Sequence, residues 1–154
     1  MRITECLNRD RISAFFFGDP KLVYLGCTDE TMFEMFQKGE YNLLPDSQYV
    51  GIEENNKLIA VVRYEYFTDQ CVSMHMFMNS EFHVTDKPTQ AVNLLKTFIK
   101  EDLEIDKVIL IVPSSCVHIH KFATRHGFEQ EGCIKKSCKW RQEMADLVIY
   151  GMSL

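Results

Sequence analysis

Residues 48–78 hold three strand-like runs in series, and their connections are too short for anything but antiparallel neighbours. "QYVGIEEN" comes first, then "KLIAVVRYEYF", rich in β-branched and aromatic residues, then "CVSMHMFMN". Asn55-Asn56 makes the first turn, and Thr68-Asp69-Gln70 makes the second. A parallel return needs a crossover of about a dozen residues or more, so these runs form a meander.

The hydrophobic period then changes. Ala91, Leu94, Leu95, Phe98 and Ile99 recur at i, i+3, i+4, i+7 and i+8, the pattern of an amphipathic helix. Pro88 sits near its start, where proline is tolerated. "KVILIVP" follows as a continuous apolar run, which suits a strand buried on both faces and often a parallel one. Ser114 or Ser115 caps the next helix, which carries Cys116, Ile119, Phe122 and Ala123 and closes at Gly127. "FEQEGCIKK" and "DLVIYGMSL" finish the chain as strands.

Ahead of the meander, "MRITEC" alternates like a strand, and "RDRISAFFFGDP" reads as a helix broken by Gly18 and Pro20. "TDETMFEMFQKG" reads as a second helix, capped by Thr28 or Asp29 and ended by Gly39. The order β-α-α-β-β-β-α-β-α-β-β predicts one α/β domain over 1–154. Its sheet is mixed and mostly antiparallel, with helices on both faces.

Charge narrows the partners. The formal net charge is -5, whereas neutralising nucleic-acid phosphates takes clustered Lys and Arg. The densest basic group, Lys135, Lys136, Lys139 and Arg141, is short and reads as a solvated strand edge. No run approaches the roughly 18 apolar residues of a membrane span. The first residues, "MRITECLNRDR", show no apolar signal segment, so the expectation is a cytoplasmic protein with its six cysteines reduced. No CxxC pair occurs, and His118 and His120 lie on different faces of a helix, so no metal site is expected.

The stretch "HGFEQEG", set at the end of a helix and the start of a strand, resembles the close of the GNAT acetyltransferase fold. In that family the last helix ends in a Gly-Phe step followed by a pattern close to E-x-E-G. The physical reading agrees: Gly127 takes a positive φ and ends the helix, and Phe128 enters the core. The element order from about Tyr49 onward fits the same family. The tail, "WRQEMADLVIYGMSL", also resembles short GNAT-like proteins of tailed phages.

This resemblance implies a site. The family holds the pyrophosphate of acetyl-CoA on backbone amides at the start of the central helix, where glycines let the backbone approach and the helix dipole favours anions. The matching stretch, "SEFHVTDKPTQAVNLL", has no glycine. It places His83 where an arginine usually stands and Ala91 at the final small position. Lys87 supplies charge, Thr89 and Gln90 supply amides, and Pro88 supplies none. Main-chain groups of Met76, Phe77 and Met78 are implied as the pantetheine contacts. Ala123 occupies the position of the usual tyrosine acid. Ser114, Ser115 or Cys116 at the helix start is the nearby substitute, with Ser115 and Cys116 against the cofactor.

Removal of a proton from an acceptor ammonium needs a base. His75, in the middle of its strand, and Glu65, on the neighbouring strand, are the candidates. Arg63 and Glu65 share a strand face and pair there. Two functions stand side by side. One is an N-acetyltransferase acting from acetyl-CoA on an amine of a protein or small molecule. The other is an inactive GNAT-like virion component or host-protein-binding module, favoured by the missing glycines and the missing tyrosine. The loop from Ser80 to Gln90 separates them: open amides favour the enzyme, and a space filled by His83 and Pro88 favours the scaffold.

Overall fold

The computed structural model describes residues 1–5, 7–19, 21–22, 46–140 and 143–154. The helix expected over 28–39, together with Cys6, Cys27 and Arg141, lies outside the described residues. The expected meander is present as β2 (Gln48–Glu54), β3 (Lys57–Thr68) and β4 (Cys71–Met78). Asn55 and Asn56 take φ of 51° and 62°, the left-handed pair whose twist matches a two-residue hairpin. The second turn is tighter than the sequence suggested, because Thr68 still pairs with Cys71 and leaves only Asp69-Gln70 between them.

β1 (Arg2–Thr4) lies beside β2, and α1 (Arg9–Gly18) follows β1. Asn8 caps α1 by accepting the Arg11 N–H at 2.9 Å. Arg11 and Arg2 then both reach the Glu53 carboxylate on β2, at 2.5 and 3.0 Å. Their hydrogen bonds, Arg11 first, hold its carboxyl below the usual range.

After the meander comes α2 (Lys87–Thr97), which widens into a π-type turn over Phe98–Asp102. There Leu103 N–H donates five residues back, to Phe98 O at 3.1 Å. The wider turn keeps both Phe98 and Ile99 in the core. β5 (Lys107–Pro113), α3 (Val117–Arg125), β6 (Glu129–Trp140) and β7 (Glu143–Ser153) complete the order. Among the described residues, seven strands form one sheet in the order β1-β2-β3-β4-β5-β7-β6, and only β4 and β5 are parallel neighbours. α1 packs on one face, Phe16 against Phe77, and α2 on the other, Phe98 against Tyr64. Phe77 and the register partner of Tyr64, Met74, differ by an odd number along β4, so they point to opposite faces.

Two expectations need correction. Neither Ser114 nor Ser115 caps α3. Cys116 stands at that position without a side-chain cap bond, because Ser114 is held across the sheet by the main chain of Asp146: its N–H donates to Asp146 O (2.8 Å), and its Oγ accepts from the Asp146 N–H (3.3 Å). β6 also runs past Lys136 to Trp140. A bulge with Lys136 at φ 46° interrupts its pattern, and the Asp146 carboxylate satisfies the Lys136 N–H at 2.8 Å while pairing with Lys135. Trp140 is buried and presents no surface.

The helix end at "HGFEQEG" is a Schellman motif. Phe128 N–H donates to Ala123 O (3.0 Å) and Gly127 N–H to Thr124 O (3.2 Å), with Gly127 at φ 87°. Nothing lies within 4 Å of a Cβ placed at Gly127, so an alanine there meets backbone strain alone. Gly127→Ala is expected to cost about 1–2 kcal/mol in urea denaturation. No loss would show that the turn relaxes freely.

Candidate functional site

β4 and β5 pair only from Cys71 to Ser73 and from Lys107 to Ile109. Beyond that point the strands part, β4 running on to Met78 and β5 to Pro113. A cleft of about 400 Å³ opens between them. Its walls are the ends of both strands, Pro88 and Val92 of α2, and one face of α3, with Phe128 among the apolar lining. That size suits a small or extended organic ligand.

His75 and the residues the GNAT resemblance implied at the cofactor, Met76, Phe77, Met78 and His83, are among those lining this cleft. The other candidates are not among its lining residues. Ala91 is fully buried, and its neighbour Val92 takes the lining place. Lys87 is held by Glu54 in a half-buried ion pair. Thr89 and Gln90 are exposed, and the Gln90 amide side chain donates to Asp86 Oδ2 at 2.5 Å. Ser115 is exposed and Cys116 buried, and neither is among the cleft-lining residues, although Pro113 before them and His118 after them are. Glu65 lies outside the cleft, accepting from Ser47 Oγ at 2.5 Å and lying 3.5 Å from Arg63 Nε. The expected Arg63–Glu65 pair therefore exists, with Arg63 buried.

The loop before α2 keeps most of its amides for itself. Ser80 N–H donates to Asp19 Oδ2, Phe82 to Asn79 O, His83 to Ser80 O, Thr85 to Phe82 O and Lys87 to Thr85 Oγ1. Pro88 has no N–H, which leaves Thr89 as the first-turn amide without a protein acceptor among the described residues. His83 Nε2–H donates to Met78 O at 2.8 Å, so the last carbonyl of β4 is already occupied. His83 and Pro88 both line the cleft beside the start of α2.

His75 faces Arg63 across the β3–β4 ladder. Burial, and secondarily the Arg63 guanidinium, push its imidazole down to about 3. It is therefore neutral near pH 7, able to exchange hydrogen bonds but a weak acceptor of a full proton.

Three functional candidates lie on α3 and were missed in the sequence: His118, Lys121 and Arg125, all lining the cleft. Their spacing, i, i+3 and i+7, was available, but the apolar stripe of the same helix drew the reading. Ala123, where the family carries a tyrosine, is fully buried. The nearest phenol to α3 among the described contacts is Tyr150, which donates to His120 Nδ1 at 2.9 Å while His120 Nε2–H donates to Pro113 O at 3.0 Å. That pair is not among the cleft-lining residues.

No protein-family model and no curated protein matches this sequence. Solved structures match in three dimensions. A "Probable acetyltransferase" is 19% identical with a TM-score of 0.60, over 71% of this chain and 63% of that one, so the chain spans less than two thirds of it. A spermidine N-acetyltransferase variant from Vibrio cholerae is 13% identical with a TM-score of 0.73, over 99% of this chain and 95% of that one. A GNAT family acetyltransferase from Elizabethkingia anophelis, with acetyl-CoA bound, is 12% identical with a TM-score of 0.66, over 88% and 90%. The chain has the fold of the GNAT acetyltransferases. Among the described residues, no helix is long and apolar enough to cross a membrane.

Proposed function

We propose that residues 1–154 act as one acyltransferase domain that moves an acetyl group from acetyl-CoA to an amine of a small molecule or protein. The observation that carries this reading is the parting of β4 from β5, which exposes β4 main chain inside an apolar cleft. In the reaction, the free amine attacks the thioester carbonyl carbon, the C–N bond forms, and the C–S bond breaks to release CoA thiolate, which takes up a proton.

The chain's own groups have definable parts. On this reading the Met76 main-chain N–H, on the β4 edge that β5 has left, polarises a carbonyl lying along β4. Neutral His75 holds the amine by a hydrogen bond and carries no charge that would repel an ammonium on arrival. Solvent water takes the ammonium proton, because Glu65, although on the same sheet face as His75, is held outside the cleft by Ser47 and Arg63. No hydroxyl at position 123 returns a proton to the thiolate, so solvent does. The matched fold with acetyl-CoA bound supports the reading, and the net charge of -5 favours a cationic acceptor.

A second reading is a binding module without catalysis, such as a virion or host-protein-binding component. It is favoured by the engaged amides before α2 and by His83 on Met78 O. Calorimetric titration with acetyl-CoA, with desulfo-CoA and ATP as controls, decides between the two. Micromolar binding of acetyl-CoA is expected. Absence of binding at millimolar ligand would remove the acyltransferase and leave the module.

A further inference from the structure

The charged side chains that line the cleft are basic, in a protein whose formal net charge is -5. No Asp or Glu is among its lining residues, while His118, Lys121 and Arg125 line one wall together. They recur along α3 at a spacing that keeps them on one face, a stripe roughly 10 Å long. Among the described residues, five lysines elsewhere pair with carboxylates: Lys57 with Glu81, Lys87 with Glu54, Lys100 with Asp106, Lys107 with Glu131 and Lys135 with Asp146. Lys121 and Arg125 have no carboxylate within ion-pair distance among the described residues, and both are exposed at the cleft. Nearby His126 is held below its ordinary value by burial and then by the charges of Lys96 and Arg125, which marks the same region as positive. Across the cleft, the start of α2 offers few open amides, and Asp86 stands there.

We propose that the α3 wall, through Lys121 and Arg125 with His118 beside them, is the seat for the phosphate groups of the ligand in this cleft. On the acyl-transfer reading, on which this identification of the ligand rests, those phosphates belong to CoA. The anionic end then lies along a helix side and not on a helix N-terminus. Arg125 supplies a planar fork that matches two phosphate oxygens, and Lys121 a point charge one helical turn away. The thioester end points down β4, towards His75.

Lys121→Ala/Arg125→Ala tests the seat. Both side chains are exposed on a helix, and alanine is a good helix former, so the fold is retained. Calorimetry compares CoA, pantetheine and inorganic pyrophosphate as probes. The expected result is a fall in CoA affinity of about 30-fold or more, with pantetheine unchanged and a shallower salt dependence. Lys121→Arg/Arg125→Lys, which keeps the charges, restores most of the affinity. Equal CoA affinity in wild type and double alanine variant overturns the seat and leaves acyl transfer standing. If wild type binds no CoA, acyl transfer falls and pyrophosphate decides the seat alone. Pyrophosphate binding that the double variant loses then sustains it, and no binding, or binding equal in both proteins, overturns it.

Discussion

Below about pH 6.5 the protein is expected to lose stability steeply, and His75→Gln to remove much of that loss. An unfolded histidine takes its proton near pH 6.5, whereas His75 in the folded sheet does so only at about 3. Between those values the unfolded chain binds the extra proton, so stability is fully present above the upper value and falls as the pH is lowered. The slope reaches at most about 1.4 kcal/mol per pH unit from this one group. His75 borders the cleft and is not sealed from it, so an expected difference between wild type and variant is about 1–3 kcal/mol between pH 6.5 and 4.5. The groups on its face are Arg63, directly opposite, and Glu65, which pairs with Arg63. Other groups lower stability in acid too. Glu53, Asp19 and Asp146 all have carboxyls held below the usual range, and their contribution is lost as they protonate. Urea denaturation of both proteins across that range separates the terms, because only the His75 part differs. Parallel curves for the two would show that the imidazole reaches water freely.

Phe16→Ala is expected to destabilise the protein by about 3–5 kcal/mol, a large share of the 5–15 kcal/mol typical of a whole domain. Phe16 is 1% exposed and packs edge-on against Phe77 at 4.9 Å and Phe15 at 5.5 Å between ring centroids. It is thus the bolt between α1 and β4. Removing the ring leaves a cavity behind Phe77, which is itself a cleft wall. Ligand affinity should therefore weaken along with stability, although Phe16 touches no ligand. Phe16→Leu keeps most of the volume and should cost markedly less. A loss below about 1 kcal/mol for the alanine variant would mean that α1 closes over the gap and does not support β4.

The parts legible in the sequence are those fixed by near neighbours. Asn55-Asn56, the apolar run of β5 and the Gly127-Phe128 step each specify their structure within a few residues. What was not legible depended on partners far along the chain. Lys87 was assigned to phosphate, but Glu54, 33 residues earlier, holds it. Glu65 was assigned to the site, but Ser47, 18 residues earlier, draws it away from the cleft. Ser114 looked like a cap until Asp146 of β7 engaged it from across the sheet. The α3 stripe had the right spacing, yet its meaning depends on which helix face meets the gap, and that is set by where β4 leaves β5.

That short parallel junction has one more effect. A strand with open backbone groups is a template on which other chains add, and folded proteins normally cover or charge such rows to stay free of aggregation. β4 has an open row from Met74 onward, where β5 has left it. The row faces inward, between α2 and α3, so another polypeptide strand, about 10 Å deep with its side chains, cannot dock there. A slender unbranched chain can. The same geometry that offers backbone groups to a ligand thus protects the molecule from copies of itself.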